Sequence, residues 1–361
     1  MGLNTSCSGV KLHHWNRIHF SMKTFVLRSP IKSSAIWCII LSSVLRSRTS
    51  SSMSCAENHV IWKSGPVEAY LHPSPWTPGA TIVTHNAPKT PSSLFRLPQS
   101  SFLSLLLGAR AVGDLLCKRL GVQRCAVVHR PDCDDGTPAN LLLLPLHGLE
   151  DTWRPHLAPE EDFQPHDPGY ITSKSGPRWT DLNLEAIQER IRAKLTSPDS
   201  PFNYTFLGEP SHPGLFSRIV RGEEKQWRVW EDEGHVAFLT PFPNTPGLTV
   251  VIPRKPLTSD ILRLEDGDYT DLLLATRKVA RLLEDALGAW GVGVIFEGFE
   301  IDYAHAKLVP LVQSPGNVTP SAVCAVPEFY NVYPGFVSSA NGPPASSEHL
   351  RQIHDKITKT S

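Results

Sequence analysis

The chain carries one pattern of residues twice, and this internal repeat constrains its fold more than any other feature of the sequence. The segment Thr77–Val83 (TPGATIV) recurs as Thr245–Val251 (TPGLTVV). Towards the end of each pattern, Pro168–Ile171 (PGYI) recurs as Pro334–Val337 (PGFV). The matches keep their order and a nearly constant spacing along the chain. The sequence therefore predicts a tandem duplication of one structural unit.

The repeat sets the predicted domain boundaries. Copy one is residues 56–195 and copy two is residues 216–361, with a proline-rich linker at 196–215 between them. Residues 1–55 precede the repeat and are predicted to be a leader or an extension outside the fold.

The periodicity of apolar residues predicts the elements of one unit, described here for copy two. Apolar, β-branched and alternating runs predict strands, and apolar residues at helical spacing predict helices. Strands are predicted within 228–239 and at 247–254, 291–296 and 303–311, a long helix at 267–287, and a closing amphipathic helix at 346–359. Each copy is thus predicted to be an α+β unit, an antiparallel sheet with a long packed helix and a closing C-terminal helix.

The composition excludes several classes of protein. Lys+Arg and Asp+Glu balance at 35 each, so no global charge points to nucleic acid or a membrane surface, and neither partner is expected. Seven cysteines without a C-x-x-C pair predict reduced thiols. His147, His156 and His166 fit no ligand spacing, so neither a metal nor a cofactor is predicted. The basic pair Arg254–Lys255 is predicted to be a solvated strand end.

The first 55 residues differ from the rest of the chain. They contain seven Lys or Arg and 13 Ser but no acidic residue. This composition resembles a mitochondrial transit peptide and predicts a mitochondrial location. The alternative is a non-functional extension, with translation starting at Met53 and a cytoplasmic protein.

Copy two resembles the histidine-triad (HIT) family of nucleotide-binding proteins. The run Phe216–Glu223 (FSRIVRGE) is similar to the opening signature of that family, and Pro246–Arg254 (PGLTVVIPR) follows in family order. Tyr303–Pro310 (YAHAKLVP) stands in place of the family's His-x-His-x-His strand. Copy one inherits the assignment through the repeat. Two such units in one chain also resemble the galactose-1-phosphate uridylyltransferase and diadenosine-tetraphosphate phosphorylase branch.

The resemblance implies a role for each residue of that strand. His305 occupies the position of the nucleophile, which attacks an α-phosphate and carries the nucleotidyl group covalently. Tyr303 replaces the first histidine and Lys307 the third, and both are predicted to bind the substrate, by a hydroxyl donor and an ammonium charge. Because side chains alternate along a strand, these three are expected on one face and Ala304 and Ala306 on the core face.

Further substrate-binding residues are predicted around this strand. Thr240 stands where the family often has a ribose-binding acid, and Leu248 where it often has another histidine. Glu297 opens the short loop before the strand. Ser338 and Ser339 belong to the repeated loop and offer hydroxyls to a phosphate, or else this loop is a connector that satisfies its own backbone.

Two hypotheses about function follow. Copy two would be a phosphohydrolase or nucleotidyltransferase acting through His305 on a nucleotide or another nucleoside phosphate. Alternatively, the chain would be a non-catalytic, degenerate HIT pair that binds a nucleotide or a protein partner. The copy-one positions Pro138, Asn140 and Leu142 lack a nucleophile, which predicts a structural or regulatory role and an intramolecular pseudo-dimer of the two copies.

Overall fold

The computed structural model describes residues 59–86, 91–132, 137–315 and 327–359. Glu57–Ser361 forms one compact unit that holds both copies. The predicted leader lies outside the described residues, so both interpretations of it stay predictions.

Apart from one short helix at the start of copy two, the described residues of both copies form the same elements in the same order, and the predicted α+β class is confirmed. Copy one contains β1 (Val60–Ser64), β2 (Val67–Leu71), β3 (Thr81–His85), the 3₁₀ helix Leu94–Arg96, α1 (Gln99–Leu120), β4 (Cys125–His129), β5 (Asn140–Pro145) and α2 (Asp181–Arg192). Copy two contains α3 (Leu215–Arg221), β6 (Trp227–Glu231), β7 (His235–Leu239), β8 (Thr249–Pro253), the 3₁₀ helix Ile261–Arg263, α4 (Asp266–Leu287), β9 (Gly291–Phe296), β10 (Ala306–Leu311) and α5 (Ser347–Thr358). Strand β10 begins later than predicted, so His305 lies just before it.

The long helices α1 and α4 cover one face of the sheet. Their apolar residues form the main core with alternate strand residues, including Leu141 and Leu143 of β5 and Leu308 of β10. Within the described residues only α1 is long and apolar enough to cross a membrane, a criterion that the core helix of a soluble protein also meets. The opposite face of the sheet carries two further apolar clusters, and the polar side chains of His305 and Lys307 lie beside one of them.

All ten strands form one antiparallel sheet in the order β1-β2-β3-β5-β4-β9-β10-β8-β7-β6. The order is the same from either end once equivalent strands are exchanged. Strands β4 and β9 join the halves, and Val128 lies opposite Ile295 in this pair. These two residues are equivalent positions of the repeat. Val128 pairs with Leu142 within copy one, and Ile295 pairs with Lys307, the equivalent of Leu142, within copy two. The junction therefore has the self-matching register of a two-fold symmetric interface.

The closing helix of each copy packs on the other copy. Helix α2 of copy one packs on β6 and α4, while α5 of copy two packs on β1 and α1. In α2, the Gln188 amide donates to the Arg228 carbonyl at 2.9 Å and Arg190 donates to the Ala286 carbonyl at 2.8 Å. The predicted closing helices are present, but they are exchanged between the copies.

The repeated loops, which lead into these helices, contact each other where they cross. The Ile171 N–H donates to the Ser339 hydroxyl at 3.0 Å, and the equivalent Val337 N–H donates to the Ser173 hydroxyl at 2.9 Å. The loops are connectors, as one of the two interpretations held, but each satisfies the backbone of the other copy.

The repeated Thr-Pro-Gly motif is a turn with the same structure in both copies. Gly79 has φ 78° and Gly247 has φ 84°, a left-handed conformation that glycine adopts without strain. A Cβ on Gly79 would lie 2.5 Å from Leu120, and one on Gly247 would collide with the equivalent Leu287. The backbone and the last leucine of the long helix thus both require glycine.

We expect Gly247→Ala to lower the free energy of unfolding by roughly 1–3 kcal/mol, because it adds strain at a positive φ and overpacks Leu287. Chemical denaturation measures this change. Gly267→Ala is the matched control, since a Cβ at this exposed position of α4 meets open space and alanine favours helix. Equal destabilisation by both substitutions would contradict the account of the turn.

Candidate functional site

The segment from Tyr303 to Lys307 presents alternate side chains to opposite faces of the sheet. Ala304 and Ala306 lie in the main core beneath the helices. Tyr303 belongs to the apolar cluster on the opposite face, where the Phe216 ring also lies 5.5 Å from the His305 ring. The predicted alternation is therefore present.

His305 and Lys307 line a cavity of about 160 Å³, called here the copy-two cavity. Its apolar wall comes from α3, β7 and β8 and includes Phe216, Phe238 and Val250. Thr240 and Glu300 add polar groups from copy two. Lys174 and Ser175 reach the cavity from copy one, following the crossing point of the repeated loops.

The tautomer of His305 is fixed by its own strand. Nδ1 lies 2.7 Å from the Tyr303 carbonyl, which can only accept, so Nδ1 carries the proton. Nε2 then holds the lone pair and makes no hydrogen bond within the described residues. Burial, with a smaller effect of the Lys307 charge, lowers the pKa of His305 to about 4. The ring is therefore neutral at pH 7, the form in which an imidazole is a nucleophile.

Lys307 is buried and held on two sides. Its ammonium donates to Glu300 at 2.6 Å and to the Ser173 carbonyl of copy one at 3.1 Å. Burial acts to raise the pKa of Glu300, but the charge and hydrogen bond of Lys307 outweigh burial and lower it overall. A buried ammonium needs such partners, and an incoming phosphate would compete for them.

Tyr303 is not brought to the copy-two cavity. Its hydroxyl donates to the Pro253 carbonyl at 2.9 Å, and its ring packs 5.6 Å from that of Phe216. The side chain is 1% exposed, and among the described residues it is not part of the cavity wall. Tyr303 supports the position of Phe216, and the geometry gives no support to its predicted contact with substrate.

Glu297 lines a second cavity of about 370 Å³ that shares Lys307, Glu300 and Lys174 with the first. Its carboxylate accepts a hydrogen bond from the Tyr333 hydroxyl at 2.6 Å. Burial raises the pKa of Glu297 in spite of the nearby Lys307 charge. Glu297 thus shares the second cavity with Lys307 but lies beside the copy-two cavity and not in its wall, and its predicted contact with substrate stays a prediction.

The remaining predicted residues lie in three different places. Thr240 lines the copy-two cavity, and its hydroxyl accepts from the Phe242 N–H at 3.2 Å. Ser338 is buried at the loop crossing, where it pairs with Thr172 of copy one. Ser339 lines a cavity in copy one instead, which is the consequence of the exchanged loops. Within the described ranges, no group of three or more His, Cys, Asp or Glu is placed to hold a metal ion.

Comparisons with known proteins identify a family for part of copy two. The HIT domain family matches residues 221–305. A HIT-like protein of Saccharolobus solfataricus is 31% identical over 101 residues, which are 27% of this chain and 72% of the relative. The chain belongs to the HIT family. A HIT-like protein of Mycoplasma pneumoniae is 30% identical over 27% of this chain and 69% of its own length.

Solved structures are also similar to parts of the chain. A HIT family member from Bacillus subtilis is 21% identical, covers 42% of this chain and 100% of its own, and has a TM-score of 0.30. A galt-like protein from Arabidopsis thaliana is 8% identical, covers 80% of this chain and 84% of its own, and has a TM-score of 0.42.

Four groups at the site were missed by the sequence analysis. Glu300 lies in the short loop before the strand, where an acid three residues from two predicted contacts, Glu297 and Tyr303, is the signal that could have identified it. Ser173, Lys174 and Ser175 come from copy one. The sequence gives no signal for these three, because their approach depends on which copy each loop packs against.

His305 makes stability depend on pH. Its pKa in the folded chain, about 4, lies below the ordinary value of 6.5, so the unfolded chain takes up the proton first as the pH falls. The corresponding stability is complete above pH 6.5 and is lost towards pH 4. We expect wild type to lose about 3 kcal/mol more than His305→Asn over this range.

Denaturant unfolding of both proteins at pH 8, 6 and 4 tests this expectation. The free energy of unfolding of each protein is compared with its own value at pH 8, so that the packing cost of the substitution cancels. If the free energy of unfolding falls with pH equally in the two proteins, His305 titrates in the folded chain as it does in the unfolded chain.

Proposed function

We propose that the copy-two cavity binds a nucleoside phosphate and that His305 transfers its nucleotidyl group, as a phosphohydrolase or a nucleotidyltransferase. The observation that carries this proposal is the fixed tautomer of His305, which leaves the Nε2 lone pair beside the cavity without a partner among the described residues. Family membership adds support, since one solved structural neighbour is described as a histidine triad nucleotide-binding protein and another as a HIT family hydrolase.

The proposed chemistry has two steps. The Nε2 lone pair attacks the α-phosphorus, a P–N bond forms, and the bond to the leaving group breaks with its electron pair. The leaving group takes a proton from solvent. Water or another hydroxyl acceptor then attacks the same phosphorus and releases a proton to solvent, the P–N bond breaks with its electron pair returning to Nε2, and neutral His305 is restored. The Tyr303 carbonyl stabilises the imidazole throughout by keeping its hydrogen bond to Nδ1–H.

Lys307 supplies the positive charge for this chemistry. Its ammonium lies two residues along the strand from His305, where charge develops on the phosphoryl oxygens in the transition state. Glu300 holds the ammonium in place at 2.6 Å. Copy one completes this arrangement through the Ser173 carbonyl, so we propose that copy two alone has an incomplete site.

The test is mass spectrometry of the full chain after incubation with adenosine 5′-phosphoramidate. We expect an adenylyl adduct on His305 and release of AMP, and both should be lost in His305→Asn because amide nitrogen is not a nucleophile. His349→Asn, which changes a histidine of α5, serves as the matched control and should behave as wild type. AMP binding without adduct or turnover would contradict the nucleophile and favour a nucleotide-binding module without catalysis.

We also propose that the chain is its own pseudo-dimer. Strands β4 and β9 pair with each other within one chain. The strand edge through which two identical subunits could otherwise join is therefore already occupied. We therefore expect a monomer in size-exclusion chromatography with light scattering. An obligate dimer that persists at micromolar dilution would contradict this proposal.

A further inference from the structure

Copy one retains a cavity at the position equivalent to the copy-two cavity. It measures about 420 Å³, and its walls include His72, Ile82, Arg130, Asn140, Leu142 and Asn341. It does not share a wall residue with the copy-two cavity. The site already described therefore leaves this second cavity unexplained.

The strand register shows that the two cavities correspond residue by residue. Leu142 pairs with Ile82 in the way that Lys307 pairs with Val250. Two positions earlier, Asn140 therefore takes the place of His305. Each cavity also receives the loop of the opposite copy, Ala340–Asn341 in copy one and Lys174–Ser175 in copy two.

The copy-one cavity differs from its equivalent in size and in charge. Helix α3 forms one wall in copy two and has no counterpart among the described residues of copy one. Lys307 is replaced by Leu142, so its cation is lost, but Arg130 lines the cavity at the position equivalent to Glu297. The positive charge is thus retained on the neighbouring strand end.

Arg130 is held in place without using all of its donors. Its guanidinium donates to Asp167 at 2.8 Å and lies 5.6 Å from the Trp290 ring. The Asp167 carboxylate also accepts from the Gly169 N–H at 2.9 Å, so it is well satisfied where it is buried. The Arg130 Nε is buried and has no hydrogen-bond partner among the described residues. Because water cannot reach this atom, a ligand in the cavity would contact the Nη groups of the guanidinium instead.

Two neutral groups in the wall add further donors. Nδ1 of His72 accepts from the Ser74 N–H at 3.0 Å, so Nε2 carries the ring proton and is a donor. The Asn140 amide makes no hydrogen bond within the described residues. The cavity therefore combines these donors and the Arg130 guanidinium, which is paired with Asp167, with the Asp132 carboxylate and the apolar side chains Ile82 and Leu142.

We propose that the copy-one cavity is a second, non-hydrolytic site that binds a nucleoside monophosphate. The phosphate accepts from Arg130 and Asn140, and the apolar wall contacts the nucleoside. The bound molecule stays intact because Asn140 replaces the nucleophile. The choice of ligand class rests on the proposed function of the equivalent cavity, while the existence of the site rests on the wall of copy one itself.

Isothermal titration of AMP into the full chain tests this proposal with a pair of equivalent substitutions. Asn341→Trp fills the copy-one cavity from an exposed position, and Ser175→Trp fills the copy-two cavity from the equivalent position, which is partly buried. We expect two AMP per wild-type chain and one per chain in each variant. Asn140→Leu removes only the amide and should weaken the copy-one site by about 10-fold.

Thermal unfolding of each variant identifies a folding failure, and Asn140→Leu then carries the test if Asn341→Trp unfolds. A single AMP that is lost only in Ser175→Trp would overturn the second site and leave the proposed function standing. A single AMP lost only in Asn341→Trp would support the second site and contradict nucleotide binding in copy two. No AMP bound by wild type would overturn the ligand assigned to this cavity.

Discussion

Strands β4 and β9 pair so that Val128 of copy one faces its own equivalent, Ile295 of copy two. Once two equivalent residues face each other in an antiparallel pair, the remainder of both copies is related by the same two-fold operation. The order of the ten strands, the crossing of the repeated loops and the exchange of α2 and α5 all follow this operation. Each copy therefore lies where its loop and closing helix complete the other.

This scaffold is symmetric, whereas the groups that it places in the two cavities are not. Lys307 is buried in copy two and needs both Glu300 and the Ser173 carbonyl, while Leu142 in the same register needs no polar partner. A symmetric pair of identical subunits cannot make such a distinction. Duplication within one chain allowed one cavity to keep a histidine and the other to lose it without changing the backbone that both share.

The sequence predicts elements much better than it predicts their partners. Periodicity locates α4 and β9 almost to the residue, because a long amphipathic helix and a short apolar strand leave little choice. The exchange of α2 and α5 is not predictable in this way, since the apolar face of α2 fits equally well on either copy. Arg254 shows the same limit: predicted to be solvated, it is wholly buried and donates to Glu231 at 3.0 Å. Local pattern identifies a charge but not the acceptors that chain folding brings to it.

The candidate site shows the same difference between residues, which the sequence predicts, and their packing partners, which it does not. His305 was identified from the strand motif, whereas the group that fixes its tautomer is a carbonyl, which every residue has and no motif records. A phosphate in the copy-two cavity would compete with Glu300 for the Lys307 ammonium, and its charge would also favour protonation of His305. Burial opposes that protonation by lowering the pKa to about 4. His305, the proposed nucleophile, is therefore neutral before an anion arrives, because the buried environment that makes a free charge costly also keeps the imidazole uncharged.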